Sequence, residues 1–236
     1  ILFLDRRRCT GACTRSASHC HTAPSFPYFH TKLAIPEHLN RQAHDTFHLP
    51  VLTAENFHEV RQKGIIGMVP GQIVTVDAGY ADGVNLEKDI LKMAVIERHK
   101  NTRHIGIGYL TGYGLKEGAV ATSVSHDSHN IICVGANDAD MALAANRVAE
   151  NRGGIVVVDG GTVLGEVALP IAGIMSDDGL EHVNEALENA KAQAFTLGVS
   201  EGIDPFMTLS FMALPVIPTL RLTTRGVVDV FTQKYI

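Results

Sequence analysis

Between residues 118 and 136 the chain reads GAVATSVSHDSHNIICVGA. Two apolar, β-branched-rich runs, 119–124 and 131–134, enclose the polar insert Ser125-His126-Asp127-Ser128-His129-Asn130. Val, Ile and Thr at this density predict strands, and Ser, Asp and Asn between them predict a turn. Further strands are predicted at 72–77, where apolar and polar positions alternate, at 90–97 (ILKMAVIE) and at 105–110 (IGIGYL). The runs 155–159 and 162–169 are joined by Asp159-Gly160-Gly161, a hairpin signal.

Helical spacing appears elsewhere. A short helix is expected over 53–62, starting at Thr53, and another from Asp138 as N-cap to the stop at Gly153-Gly154. The longest helix is expected over 180–197, with Leu180, Val183, Leu187, Ala190 and Ala194 on one face. Asp204-Pro205 opens a further helix that points Phe206, Met207, Leu209, Phe211 and Met212 inward, until Pro215 and Pro218 end it. Residues 170–177 read as a buried turn, and 220–230 as extended or turn structure. Residues 6–31 show neither period and read as loop or disorder, and 35–52 are polar and His-rich, with no role assigned to His38, His44 or His48. Strands and helices without regular βαβ alternation predict an α+β fold, a mixed β-sheet packed with helices. The division expected is an irregular N-terminal segment over 1–50 and one domain over 51–236.

Composition narrows the function classes. An apolar share of 45% and a charged share of 19% over 236 residues are those of an ordinary globular chain able to bury a sizeable core. A formal net charge of −5 argues against a nucleic-acid partner, because neutralising phosphates needs a basic surplus. No apolar run is long enough for a membrane span. The first residues, Ile1-Leu2-Phe3-Leu4-Asp5-Arg6-Arg7-Arg8, carry their charges after the apolar run, the reverse of a secretion signal, and are expected to belong to a longer polypeptide. The four cysteines are Cys9, Cys13, Cys20 and Cys133. So few in a chain this long fit a reducing cytoplasmic setting better than a disulfide framework. Cys9, Cys13 and Cys20 with His19 and His21 offer zinc-type donors, but without paired Cys-x-x-Cys spacing the expected reading is coincidence.

Candidate chemistry gathers in the polar insert. His126, Asp127 and His129 sit where a sheet hands over to a connection, a common place for function. The competing reading is structural: Asp127 and Asn130 cap the turn and the histidines are exposed. Gly106, Gly108, Gly112 and Gly114 lack the spacing of a phosphate loop and read as close backbone packing and turns. Glu97, Arg98 and His99 read as a salt-linked rim, and Ser176-Asp177 as the N-cap of the following helix.

Several short segments, in order, closely resemble the C-terminal domain of adenine deaminases of the amidohydrolase superfamily. They are Glu97-Arg98-His99-Lys100, Gly112-Tyr113-Gly114-Leu115, Val124-Ser125-His126-Asp127-Ser128-His129-Asn130-Ile131, Gly153-Gly154, Leu169-Pro170-Ile171-Ala172-Gly173-Ile174-Met175-Ser176, Asp204-Pro205-Phe206 and Leu214-Pro215-Val216-Ile217-Pro218. The resemblance covers roughly residues 70–230, and Ile1-Leu2-Phe3-Leu4-Asp5 resembles the strand that ends the family's catalytic portion. Residues 6–31 depart from the family's usual connection, as a frameshift would produce.

The resemblance implies hydrolysis of adenine to hypoxanthine and ammonia, in purine salvage, by a cytoplasmic and homo-oligomeric enzyme. In such enzymes a metal, manganese or else iron or zinc (Mn2+, Fe2+, Zn2+), activates water inside a barrel that would precede this chain. No metal ligand carries over: His19-Cys20-His21 has a His-x-His spacing but no apolar strand before it. The fragment alone is therefore expected to be inactive. Three roles remain for His126, Asp127 and His129: furnishing the barrel's active site, holding a metal of their own, or serving as architecture. A non-catalytic binding or assembly module derived from this family is the alternative function.

Overall fold

In the computed structural model, which describes residues 36–236, eight strands are β1 (Gly64–Met68), β2 (Thr75–Tyr80), β3 (Leu91–Ile96), β4 (Ile105–Thr111), β5 (Ala119–Thr122), β6 (Ile131–Gly135), β7 (Gly154–Asp159) and β8 (Thr162–Ala168). They form one sheet in the order β2-β1-β4-β3-β6-β5-β7-β8. Neighbours are antiparallel except β1 and β4, which run parallel. The fold is α+β with a mixed sheet.

Both faces of this sheet are covered, which is why its central strands read as unbroken apolar runs. Successive side chains point to opposite faces. Met93, Val95, Val120, Ile132, Val134 and Val157 belong to one core, and Ala94, Ile96, Ala121, Ile131, Cys133, Val156 and Val158 to the other. Helix α1 (Glu37–His44) comes first in the described chain. Helix α2 (Asp138–Glu150) and the buried ring of Phe57 close the second core. Helix α3 (Leu180–Thr196), the short α4 (Met207–Ser210) and a small sheet of β9 (Leu220–Thr223), β10 (Gly226–Asp229) and β11 (Lys234–Tyr235) lie over the first. The β9–β10 hairpin can approach β4 because a Cβ on Gly106 would stand 1.8 Å from the Thr223 carbonyl oxygen, and one on Gly108 2.8 Å from a Val227 methyl. These two glycines serve backbone approach, as their spacing suggested.

Several elements differ from the sequence reading. The helix expected over 53–62 is a single 3-10 turn, Ala54–Phe57, closed by Asn56, whose side chain accepts from the Thr53 backbone N–H at 2.8 Å. The strand expected over 72–77 sits three residues later as β2, and β1 was not predicted. Asn137, not Asp138, caps α2, accepting from the Asp140 backbone N–H at 2.9 Å. Helix α3 starts behind Gly179 with no side-chain cap. Ser176 instead accepts from the Asp178 backbone N–H at 3.2 Å, so neither Ser176 nor Asp177 caps α3. The helix expected from Asp204 shrinks to α4: Asp204 accepts from the backbone N–H groups of Phe206 and Met207, and Met207 is exposed rather than inward. Among the described residues no helix is long and apolar enough to cross a membrane.

Candidate functional site

The polar insert connects β5 to β6, two adjacent strands in the interior of the sheet. Its backbone closes on itself through the His129 N–H, which donates to the Ser125 carbonyl at 2.6 Å. It is tied to the chain ahead of β9 by the His126 N–H, which donates to the Ser210 carbonyl at 2.7 Å. The His126 ring stacks on Phe211, centroid to centroid 4.9 Å with 24° between planes. The His129 ring lies 5.9 Å from that of His126.

Both imidazoles line a cavity of about 570 Å³, together with Ile174, Met175 and Ser176 of the 169–176 loop and the apolar side chains of Leu180, Val183 and Leu187 on α3. Asp127 does not line it. Its side chain is 86% exposed, and its carboxylate stands 3.9 Å from His126 Nδ1. The three candidate residues therefore divide: the two histidines share a cavity, and the acid is in solvent. The capping reading of the turn does not hold either, since the Asn130 amide donates to Ser128 Oγ at 3.1 Å while its oxygen is buried without a partner. Ser125 Oγ and His129 Nδ1 are likewise buried without a hydrogen-bond partner. Among the described residues these three atoms are the full set of such groups, and all fall in one six-residue turn. Unsatisfied buried polar atoms are costly, and their concentration marks this turn as one not shaped by folding stability alone.

Burial pushes the His129 imidazole below its ordinary basicity, and His126 and Arg98 act in the same direction, with Asp127 opposing. Above the ordinary imidazole value of 6.5 the ring is neutral in both folded and unfolded chains. Below it the unfolded chain takes up the proton first, so stability falls as pH drops. The thermal midpoint should decrease between pH 7.5 and about 5, and His129→Asn should flatten that slope. A slope over that range that His129→Asn leaves unchanged would refute the assignment. Glu97 acts in a lower window. Burial by itself raises its pKa, but hydrogen bonds from Thr102, His99 and Lys100 outweigh it and bring it down to about 2. Its contribution is present above the carboxylate's ordinary 4.5 and is lost as pH falls toward 2.

The rim reading of Glu97-Arg98-His99 is corrected. Glu97 gathers loop N–H groups, and Arg98 is 1% exposed, with its guanidinium directed to backbone carbonyls. His99 Nε2 stands 2.7 Å from the Ser128 carbonyl, so this segment underpins the histidine turn. Burial lowers the Arg98 pKa to about 10, opposed by Glu97, which leaves it a cation at neutral pH. Sequence reasoning also missed Phe211, read as core, whose ring flanks His126. Its signal was not local: the stacking depends on a contact 85 residues away along the chain, seen only once the turn is placed.

The donors do not fit a metal. Among the described residues no group of three or more His, Cys, Asp or Glu side chains is placed to hold one, and Asp127 points away from the histidine pair's cavity. The reading in which the insert holds its own metal is therefore not supported by its geometry. The Cys9, Cys13, Cys20, His19 and His21 group lies outside the described residues.

The fold and site together define an α+β domain whose sheet presents two histidines to an apolar cavity. The family described as adenine deaminase C-terminal domain matches residues 72–234. The chain is 50% identical over 197 residues to an adenine deaminase of Brucella melitensis, covering 79% of this chain and 34% of that protein. It is 44% identical over 205 residues to one of Bacillus licheniformis, covering 84% and 35%, and 43% identical over 211 residues to one of Bacillus subtilis, covering 87% and 35%. The chain belongs to the adenine deaminase C-terminal domain family. It spans about a third of the length of the curated relatives it matches.

Proposed function

We propose that this chain is the C-terminal portion of an adenine deaminase, which converts adenine and water to hypoxanthine and ammonia in purine salvage. In this reading the cavity bearing His126 and His129 meets the catalytic portion and furnishes its substrate site. The observation that carries it is the pairing of the two rings, 5.9 Å apart at one cavity, within the segment that matches the family. Imidazoles held near neutrality can donate and accept protons as an exocyclic amine leaves. His129, whose basicity its surroundings lower, is suited to accept a hydrogen bond or proton, while His126, stacked on Phe211 and partly exposed, stands beside it at the same cavity. Asp127 is assigned no part in this chemistry, because it is solvated and outside the cavity.

The same reading assigns the metal, manganese or else iron or zinc, to a catalytic portion outside this chain, and the whole enzyme to the cytoplasm as a homo-oligomer. Among the described residues no side-chain group is placed to hold that metal. The test is direct. The chain alone, given adenine with and without Mn2+, should release no ammonia. Joined to the N-terminal two thirds of the Brucella melitensis enzyme, it should support turnover. In that enzyme His126→Asn and His129→Asn should each lower kcat by about 10²- to 10⁴-fold, the range for a positioned acid or base. Turnover by the chain alone would overturn the expected inactivity. Unchanged kcat in both variants would reduce the turn to architecture.

A further inference from the structure

Three stretches distant in sequence end on one side chain. Arg98, just beyond β3, donates through Nε to the His129 carbonyl. Through Nη2 it donates to the Ala172 carbonyl at 2.9 Å, and through Nη1 to Thr46, at 2.7 Å to its carbonyl and 3.0 Å to its hydroxyl. The Phe47 ring lies against the guanidinium, 4.1 Å from the Arg98 Cζ to the ring centroid. Among the described residues no carboxylate forms an ion pair with it: carbonyl dipoles, a hydroxyl and a π-face take up the charge. Fixed acceptors offset the cost of burying this cation, and in doing so they tie three separate segments to one planar group.

The two carbonyls held by Nε and Nη2 belong to two separate stretches, each of which supplies a wall of the cavity. One precedes the turn's exit and carries the His129 ring, and the other immediately precedes Gly173, Ile174, Met175 and Ser176. The second wall is fitted to the guanidinium, since a Cβ on Gly173 would stand 2.8 Å from Nη2 and 3.1 Å from the Phe47 ring. It is also pinned from behind, with Ser123 Oγ donating to the Gly173 carbonyl at 2.6 Å and accepting from the Gly154 N–H at 2.8 Å. Of the two walls, then, each is attached to the same rigid, planar fork.

We propose that Arg98 is the positioning residue of this cavity: its guanidinium sets where the His129 imidazole stands relative to the 172–176 loop. The geometry requires the fork. Lysine keeps the charge but is a point donor on a flexible stem, and it cannot hold two carbonyls at fixed separation. The functional half of this inference rests on the reading that His129 meets substrate, and the structural half does not.

Two measurements separate the halves. In the chain itself, the Arg98 Nε–H should be visible by NMR and slow to exchange with water. Arg98→Lys should shift and broaden the His129 ring signals while leaving those of exposed His182 on α3 in place. An Nε–H that exchanges as fast as that of an exposed arginine, or His129 signals unmoved by Arg98→Lys, would overturn the clamp, and the first of these needs no variant to fold. In the complete enzyme, Arg98→Lys should lower kcat by about 10- to 100-fold, as expected for an ångström-scale misplacement. It should add almost nothing once His129 is already Asn. A full additional loss in the His129→Asn background would show that Arg98 does not act through that ring. Should His129→Asn leave turnover unchanged, the substrate-site reading fails while the NMR arm still decides the clamp.

Discussion

Gly106→Ala should lower the urea midpoint of this chain by an amount equivalent to about 3–5 kcal/mol. The added Cβ would meet the Thr223 carbonyl oxygen at 1.8 Å, the Gly226 nitrogen at 2.8 Å and the Thr223 carbonyl carbon at 3.0 Å. All three are backbone atoms, so no rotamer change relieves the contact. Either β4 bends or the β9–β10 hairpin lifts, and lifting it uncovers Leu220, Leu222 and Val227, all buried in the first core. Gly83→Ala is the control. Nothing lies within 4 Å of its added Cβ, and the change should stay within about 0.5 kcal/mol. Equal midpoints for the two variants would contradict the packing of the hairpin on β4.

Arg221→Met should cost a comparable amount, about 3–5 kcal/mol, because removing the charged partner strands buried acceptors. Arg221 is fully buried. Its Nε donates to the Ile217 carbonyl at 2.7 Å, its Nη1 to Phe211 at 3.2 Å, and its Nη2 to Pro218 at 3.1 Å and to Ile73. Methionine fills similar space but supplies no donor. The variant has a second expected signature. Because the Phe211 carbonyl is among the acceptors and the Phe211 ring stacks on His126, the His126 ring signals should shift even under conditions where the variant remains folded. A midpoint within error of the parent chain would mean that those carbonyls find other donors.

Much of the sheet was legible because it is covered on both sides. Strands β3 to β7 read as apolar runs for that reason, and their predicted limits differ by a residue or two from those observed. The outer strands were harder. β2 exposes most of its residues, so its pattern carried little weight and was placed three positions early. β1 is only Gly-Ile-Ile-Gly-Met, and its two glycines hide its apolar character. Helix α3 was found from its three- and four-residue spacing, but the stripe divides in a way spacing does not reveal. Ala190 and Ala194 are buried, whereas Leu180, Val183 and Leu187 form a cavity wall. The histidine pair was visible as a polar insert between strands. Separating Asp127 from it required the turn's three-dimensional course. Arg98 was misread because four ionisable residues in a row, Glu97 to Lys100, ordinarily lie in water; only acceptors at 46, 129 and 172 draw this one inside.

The place of the histidine turn in the sheet also decides which side of the cavity is able to breathe. β5 and β6 are interior strands with hydrogen-bonded neighbours on both flanks, so shifting His126 and His129 as a body means opening the middle of the sheet. The lip beyond the 169–176 loop is held less firmly: Met175 still exchanges backbone hydrogen bonds with Ile171, at 3.0 and 3.1 Å, but Leu180 is exposed and α3 begins without a side-chain cap. Residues 176–183 are therefore expected to yield before the histidine turn does, a softer edge set against a fixed floor.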